Sequence, residues 1–157
     1  MRRKDREVSN MDEMLEIIKK CDVCRIAFFD DDYPYIIPMN FGYVCHGTEV
    51  EFYFHCANAG KKLSLIQSNP KVGFEMDCSH NLITGEMACD YTMEYESVCG
   101  DGIIELLEED QKITALTHLM KQYTKETSFE FHEKHLKSVT VFKLKVNHMV
   151  GKRLQRS

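Results

Sequence analysis

The sequence contains no apolar run near the ~20 residues that a membrane-spanning helix requires. It also has no excess of positive charge, because 25 Asp and Glu outnumber 20 Lys and Arg and give a formal net charge of −5. A balance of this sign disfavours nucleic acid or an anionic membrane as the main partner. The charged residues 1–7 are not followed by an apolar segment, so no secretory signal is predicted and we expect a cytoplasmic protein.

Internal repeats, low-complexity segments and linkers are also missing, so we expect one domain over residues 1–157. A hydrophobic content of 43% is ordinary for a globular fold with a buried core. The seven cysteines are odd in number and fall within predicted strands and helix ends rather than in a loop-rich framework. Free thiols are therefore predicted instead of disulfide bonds.

The pattern that is present is mostly that of strands. In the clearest case Val50, Phe52 and Phe54 alternate with polar residues, which predicts a strand with His55 on the face opposite the core. Six strands are predicted, over residues 24–29, 33–44, 50–55, 71–77, 95–107 and 138–146. The short spacing between most of them favours a mainly β protein, a small antiparallel barrel with peripheral helices.

Helices are predicted at four places. Asn10 and Glu13 resemble a capping box and precede apolar residues at helical spacing, which predicts a helix to about Lys20. The other helical segments are residues 61–68, residues 113–123, and one or two turns within 129–136. In the segment 113–123, one face is predicted to be formed by Ile113, Leu116, Leu119, Met120 and Tyr123. Residues 79–92 are expected to form an irregular loop, and the basic cluster of residues 2–6 a solvated, frayed terminus.

The turn after the strand of His55 has the composition of a phosphate-binding site. Small residues from Ala57 to Gly60 lead into Lys61 and Lys62 at the start of a helix. Unpaired backbone N–H groups and the helix dipole favour an anion at that position. Lysine opposes the dipole there, but surface lysines are common, so spacing alone leaves an anion site and a solvated helix start both open. The layout suits a phosphorylated cofactor whose ring lies along the strands.

Irregular strands lie on both sides of this turn. Pro38 interrupts the hydrogen-bond ladder of its predicted strand, and Asn40 offers both a donor and an acceptor to the edge of a bound ring. An ordinary edge strand is the alternative. Met39 and Phe41 are candidates for a hydrophobic wall beside such a ring. Gly100, with a second glycine two residues later, predicts either a bend or the close approach of a ligand.

Two residue pairs are of metal-ligand type. Cys21 and Cys24 form a CxxC pair, and His132 and His135 form an HxxH pair. A redox CxxC usually opens a helix, whereas this one closes a helix. The histidine spacing is also shorter than the usual three to five intervening residues. No metal site is predicted, and we interpret these residues as small buried hydrophobes and surface histidines.

In their order and spacing, these segments resemble the pyridoxamine-phosphate-oxidase-like flavoproteins, and more narrowly the Nim-type nitroimidazole resistance proteins. The matching stretches are residues 2–7, 32–43, 53–62, 69–70, 95–102 and 151–152, which together cover nearly the whole chain. The resemblance implies a six-stranded antiparallel split β-barrel that binds FMN in clefts of a homodimer. It also implies backbone contacts from Pro38 to Phe41 along the isoalloxazine edge, and places His55 near the ring.

On these grounds we predict an FMN-dependent oxidoreductase that reduces nitroaromatic compounds of the 5-nitroimidazole type, with His55 as the candidate catalytic residue. The predicted cofactor-binding residues are Pro38, Met39, Asn40, Phe41, His55, Ala57, Gly60, Lys61, Lys62, Ser97, Val98 and Gly100. A small-molecule substrate, an electron donor and a second copy of the chain are the expected partners, and nucleic acid and membranes are not expected.

Three alternatives share parts of this pattern. A flavin-binding module without turnover, such as a reservoir or redox sensor, would use the same residues. A haem-binding split barrel would use His55 as an axial ligand. A zinc-binding interaction protein would depend on the CxxC and HxxH pairs. The chain lacks the arginine-rich substrate-phosphate site of the true pyridoxamine phosphate oxidases, so a pyridoxal-type substrate is not expected.

Overall fold

The structure is a computed structural model that describes residues 3–156. Over this part of the chain there are eight strands: β1 (Glu7–Val8), β2 (Cys24–Phe28), β3 (Tyr35–Met39), β4 (Gly42–His46), β5 (Glu49–Ala57), β6 (Lys71–Ile83), β7 (Thr92–Leu106) and β8 (Val139–Leu154). The α-helices of the same part are α1 (Met11–Lys20), α2 (Lys61–Ser68), α3 (Lys112–Tyr123) and α4 (Glu133–Lys137).

The strands form one antiparallel sheet that curls into a split barrel, as the sequence predicted. Hydrogen-bonded neighbours follow the order β3-β2-β6-β7-β8-β5-β4, and β1 pairs with β8. The two ends of this path, β3 and β4, are joined by the two-residue corner Asn40–Phe41. The register of β7 against β8 shifts between Asp101 and Gly102, which is the irregularity predicted from the glycines there.

Aromatic side chains fill the barrel. Phe41, Phe52, Phe54 and Phe142 are all 0% exposed. The rings of Phe54 and Phe142 stack with centroids 5.3 Å apart, and Phe52 meets Phe41 edge-on at 5.8 Å. Burying each such side chain contributes about 1.5–3 kcal/mol, so the alternation read from β5 accounts for a large share of the core.

Helix α1 packs onto this core as predicted. The side-chain oxygen of Asn10 accepts a hydrogen bond from the backbone N–H of Glu13 at 3.0 Å and so caps the helix. Met14, Ile17 and Ile18 are buried on the inner face of the helix. The amphipathic pattern therefore fixed both the position and the orientation of α1.

Beneath α1 lies a buried carboxylate. Glu96 of β7 is 1% exposed and accepts hydrogen bonds from Lys20 at 2.6 Å, Arg153 at 2.7 Å and Ser79 at 2.8 Å. Burial alone would raise the pKa of Glu96, but these three donors outweigh it and hold the pKa below its usual range. Glu96 thus connects the end of α1 to β6 and β8 through satisfied charges.

Helix α3 packs on the outer face of the barrel, beside β4 and β5. Its buried residues are Lys112, Ala115, Leu116 and Leu119. The predicted face was therefore wrong in part, because it included Ile113, which is 52% exposed. The helix is rotated so that Lys112 is buried instead.

The single strand predicted over residues 33–44 is wrong in its continuity, since β3 and β4 are separate strands. The chain turns at Asn40–Phe41, where Phe41 inserts into the core. Its backbone N–H donates to the hydroxyl of Tyr123 at 2.9 Å instead of to a neighbouring strand. This break and the short β1 account for eight strands in place of the six predicted.

The irregular loop predicted over residues 79–92 is also wrong at both ends. β6 continues to Ile83, and residues 81–83 pair with residues 92–94 of β7. The side chains of this extension are mostly exposed, with Leu82 55% exposed, so it lacks the alternation that marks a half-buried strand.

The basic cluster of residues 2–6 is ordered where it is described, and Arg2 lies outside the described residues. Lys4–Arg6 form a 3-10 turn, and Glu7 and Val8 pair with Lys152 and Gly151 of β8. The expected fraying is therefore wrong for the described part of that cluster, residues 3–6. Across residues 3–156, no helix is long and apolar enough to cross a membrane.

Candidate functional site

The turn between β5 and α2 has a backbone that only glycine adopts readily. Gly60, the N-cap of α2, has φ of +137° and ψ of 167°, and a Cβ added there would meet open space. Within the described residues, no side chain caps α2, and its first turn carries no acidic residue. The N–H groups at the start of α2 are therefore open to an anion approaching over Gly60.

The two lysines of this turn have different surroundings. Nζ of Lys61 lies 2.5 Å from Oδ2 of Asp30 and 5.0 Å from the ring centroid of Tyr35. Lys62 is half-buried on the side of His55, and its positive charge helps to lower the pKa of His55. Lys61 is therefore paired within the chain, whereas the charge of Lys62 acts on the imidazole.

His55 lies near the end of β5 on the outer face, opposite Phe54, as predicted. His55 is exposed, and it also lines an open apolar pocket of about 180 Å³ with residues of α3 and α4. Loss of solvation, and then the charge of Lys62, lower the pKa of His55. The imidazole is therefore neutral at neutral pH, with one ring nitrogen able to donate a hydrogen bond and the other to accept one.

The corner from Pro38 to Phe41 presents backbone more than side chains. Met39 is 8% exposed and Phe41 0%, so both side chains belong to the core, and they do not form the hydrophobic wall that the sequence suggested. Pro38 and Asn40 are exposed. Tyr123 holds the corner in place. Its hydroxyl accepts from the N–H of Phe41, and it donates to the carbonyl of Asp22, between α1 and β2, at 2.8 Å.

The third group of predicted residues lies in the middle of β7. Val98 is 0% exposed in the core. A Cβ on Gly100 would come within 2.6 Å of Phe74 and 2.3 Å of the carbonyl oxygen of His148, so core packing by itself requires glycine there. Only Ser97, on the other face of the strand, presents a half-exposed side chain.

The structure does not bring this third group to His55 within one chain. Along β8, His55 is opposite Val141, whereas Val98 is opposite Gly151. Ten residues of extended strand separate these partners, which corresponds to roughly 33 Å.

Within the third group, Ser97 instead shares a face of the sheet with Pro38, because Ser97 and Cys99 lie on the same side of β7. Pro38 pairs with Arg25, Arg25 with Glu75, and Glu75 with Cys99, in one row across β3, β2, β6 and β7. Three strand spacings of ~4.8 Å place Pro38 about 14 Å from Cys99. The predicted site residues thus divide into a turn with His55 and a surface formed by the corner and β7.

Some residues that shape the site were missed. Asp30 pairs with Lys61. Asp30 is the first of three consecutive aspartates, and these together with the double lysine could have indicated the ion pair. Asn58 donates from Nδ2 to the carbonyl of Lys137 at 2.8 Å and accepts from Thr140 at 3.0 Å, which ties the turn to α4. Nothing in the sequence marked Asn58 for this role.

The CxxC cysteines are buried and the HxxH histidines are on the surface, as the sequence predicted. Cys21 and Cys24 are 1% and 0% exposed, and burial raises the pKa of both thiols, which are therefore uncharged. His132 and His135 are exposed, with ring centroids 6.2 Å apart. Among residues 3–156, no three His, Cys, Asp or Glu side chains are grouped as metal ligands.

Known proteins share this fold over nearly the whole chain. Residues 10–153 match the sequence profile of the family described as pyridoxamine 5'-phosphate oxidase. The chain is similar to the solved structure of a candidate 5-nitroimidazole antibiotic resistance protein from Bacteroides thetaiotaomicron. That similarity has 30% identity and a TM-score of 0.80, and covers 94% of this chain and 86% of that one.

Two further solved structures share the fold at lower identity. A flavocytochrome from Azotobacter vinelandii is 17% identical with a TM-score of 0.81, over 99% of this chain and 72% of that one. An FAD and haem binding protein from Mycobacterium smegmatis is 13% identical with a TM-score of 0.81, over 96% and 74%. No curated protein sequence gives a significant match.

Proposed function

The chain belongs to the pyridoxamine 5'-phosphate oxidase family, and from this membership we propose that it is an FMN-binding oxidoreductase that reduces small nitroaromatic compounds of the 5-nitroimidazole type. The similarity to the Bacteroides protein supports this substrate class, since that protein is described as a candidate for resistance to 5-nitroimidazoles. In this proposal the natural substrate is a small oxidised compound, and the electron donor is an external reductant.

The turn at Gly60 is the observation that carries the proposal. Three features of this turn fit a phosphate group: a backbone that only glycine adopts readily, open space above it, and a helix start that no side chain of the described residues caps. Lys62 adds a nearby cation whose charge faces the strand of His55. FMN has a phosphate at one end and a ring at the other, and this turn lies next to a surface that suits the ring.

The ring end would be oriented by this chain's own residues. The neutral imidazole of His55 supplies one donor and one acceptor, and the exposed amide of Asn40 supplies both kinds of group. Bound flavin would supply the electron transfer itself. Because the pKa of His55 is lowered, its role at neutral pH is to hold a ring or substrate by a hydrogen bond rather than to act as a strong acid.

A homodimer is part of the proposal. Ser97 and the rest of the β7 group lie far from the His55 turn, so one chain does not enclose a flavin between them. A second copy would bring its β7 surface to the first copy's turn. Exposed apolar residues of β3 and of the segment after β2, with Ile36 61% exposed and Phe29 59% exposed, support such a contact.

The alternatives differ in the bound group or in its reactivity. A haem-binding split barrel would use the imidazole of His55 as an axial ligand, so the chromophore that the protein binds separates it from a flavoprotein. A flavin-binding module without turnover would use every residue named above, so only reactivity separates it from a reductase.

The experiment is an anaerobic single-turnover assay. Purified protein is loaded with FMN, and its absorbance is followed while the flavin is reduced chemically and a 5-nitroimidazole is then added. We expect tight uptake of FMN and reoxidation of the flavin at a rate well above that of free reduced FMN. Failure to take up FMN would overturn the cofactor, a Soret band in the pure protein would favour haem, and bound flavin that the nitro compound does not reoxidise would favour the module.

A further inference from the structure

Two cysteine side chains meet beneath the end of α1. Cys21, the C-cap of α1, is 1% exposed, and Cys78 is half-buried on β6. Their thiols donate to the same acceptor, the carbonyl oxygen of Ile17, at 3.3 Å and 3.8 Å. Two sulfur atoms that share one acceptor at these distances lie close to each other.

The ionisation of Cys21 reflects the same contact. Burial is the largest cause of its raised pKa, followed by the charge of Cys78 and by a hydrogen bond between the two thiols. Both cysteines are free thiols in this structure. A covalent bond between them would therefore be a change of state and not a fixed part of the fold.

The irregular end of β6 makes this pair accessible from one side. The alternation of β6 places Met76 and then Cys78 on its inner face. Directly after Cys78 the register against β7 shifts, and Ser79 has φ of +58°. Cys78 thus lies at the margin of the core, where it lines a depression open to solvent together with Lys20 and Ser79. A small oxidant can reach Cys78 there, whereas Cys21 is covered.

Hydrogen bonds connect the end of α1 to the corner between β3 and β4. Nε2 of Gln122 donates to the carbonyl of Cys21 at 3.0 Å. The next carbonyl, that of Asp22, accepts from the hydroxyl of Tyr123, and this hydroxyl accepts from the N–H of Phe41. A restraint on the backbone at Cys21 therefore acts on the corner through two neighbouring residues of α3.

We propose that Cys21 and Cys78 form a redox-sensitive latch between α1 and β6. As free thiols they leave the end of α1 held by hydrogen bonds and packing. As a disulfide they tie it covalently to β6, and they hold the carbonyl of Asp22 and the corner more rigidly. The oxidant is an organic disulfide of low molecular mass.

The latch closes by two steps of thiol–disulfide exchange. The sulfur of Cys78 attacks the oxidant, whose S–S bond breaks, and the proton of Cys78 leaves on the first released thiol. The sulfur of Cys21 then attacks the sulfur of Cys78 in this mixed disulfide. The bond between the two cysteines forms, and the second thiol leaves with the proton of Cys21. The protein thiols lose two electrons, which reduce the oxidant to two thiols.

Two opposing effects decide the stability of the closed state. Closure removes two S–H donors from the carbonyl of Ile17, but S–H is a weak donor. A disulfide between residues so far apart in the sequence also restricts the unfolded chain, which favours the folded protein. We therefore expect the folded protein to be more stable with the latch closed, and a reductant to open it again.

The test uses the full-length protein, first reduced and then incubated anaerobically with excess glutathione disulfide. The remaining thiols are alkylated, and tandem mass spectrometry of unreduced peptides distinguishes Cys21 from Cys24. We expect a cross-link between Cys21 and Cys78 that is two hydrogens lighter than the separate peptides and is removed by dithiothreitol. Cys78→Ser should abolish the cross-link, whereas Cys99→Ser, at an exposed cysteine of β7, should leave it unchanged.

A second measurement asks whether the bond acts on the fold. In the cross-linked protein, the amide N–H of Phe41 should exchange more slowly with solvent by NMR, and the urea midpoint of unfolding should rise. Neither should change when Cys78→Ser is treated with the oxidant.

The two measurements overturn different parts of the inference. Glutathione on exposed cysteines alone, or a cross-link from Cys78 to Cys24, would overturn the pairing, and the wild-type protein is sufficient to decide this. A complete cross-link with unchanged Phe41 exchange and an unchanged urea midpoint would overturn the latch.

Discussion

Lys61 and Asp30 form an ion pair with 2.5 Å between Nζ and Oδ2, so the first lysine of the α2 turn is already neutralised within the chain. The adjacent Lys62 has its charge directed toward His55 instead. Two neighbouring lysines that the sequence presents as equivalent are therefore unequal as phosphate ligands.

Lys62→Gln should weaken FMN binding more than Lys61→Gln does. A hydrogen bond to a charged group contributes about 1.5–3 kcal/mol, so we expect roughly a tenfold to hundredfold rise in the dissociation constant for Lys62→Gln. Lys61→Gln should cost less, because the phosphate has to compete with Asp30. Quenching of flavin fluorescence on binding provides the measurement.

Riboflavin and Asp30→Asn are the controls for the lysine prediction. Riboflavin lacks the phosphate, so its affinity should be the same in the wild type and in both lysine variants. Asp30→Asn should release Lys61 and tighten FMN binding. If removing both lysines left FMN affinity unchanged, the assignment of the phosphate to this turn would be wrong.

Gly60→Ala should impair FMN binding through the backbone rather than through a clash. A Cβ would meet open space, but φ of +137° is strained for alanine by about 1–3 kcal/mol. The start of α2 should therefore shift and lose its alignment with a phosphate. Gly47→Ala is the matched control, since Gly47 also has a positive φ, of +65°, but lies in the β4–β5 turn. Equal FMN affinity in the two variants, measured by the same titration, would argue against the turn.

The sequence was most reliable where side chains alternate between core and solvent. The period of two in β5 placed Phe52 and Phe54 inside and His55 outside, and the Asn10 cap placed α1. It failed where exposed strands lack that contrast, as in the extension of β6 to Ile83. Hydrogen bonding between neighbouring strands, which the sequence of one strand does not encode, forms that extension.

The candidate site was predictable only in its local part. Residues from His55 to Lys62 are continuous in the chain, so their proximity follows from the sequence. The contacts around this segment involve residues that are distant in sequence. Asp30 pairs with Lys61, and Lys112 donates to the carbonyl of Leu136. No local pattern distinguishes a buried lysine from a surface lysine, and the pairing appears only when α3 has packed against β8.

Tyr123→Phe should destabilise the corner between β3 and β4. The change removes the hydroxyl that accepts from the N–H of Phe41 and donates to the carbonyl of Asp22. Leaving the N–H of Phe41 without this partner costs about 1–3 kcal/mol, measured as the free energy of unfolding in urea. Tyr33→Phe, at a side chain that is 81% exposed, should have almost no effect. Equal stability of the two variants would show that the corner does not depend on this hydroxyl.

The lowered pKa of His55 predicts the sign of a pH effect on stability. Between its folded pKa and the unfolded value of 6.5, the unfolded chain binds a proton that the folded chain does not, so the wild type loses stability as the pH falls through 6.5. His55→Gln cannot bind that proton.

The free energy of unfolding in urea is measured for the wild type and for His55→Gln at pH 7.5 and pH 5.5. These are ~1 pH unit above and below the unfolded pKa of histidine. The wild type should lose more stability than the variant on acidification, and below the folded pKa the difference should stop growing. His148→Gln, at a ring that is 86% exposed, serves as the histidine control. If the stability of the wild type ran parallel to that of His55→Gln across this range, His55 would be as well solvated as a free imidazole. The residues of the neighbouring apolar pocket would then not shield its ring from water in solution.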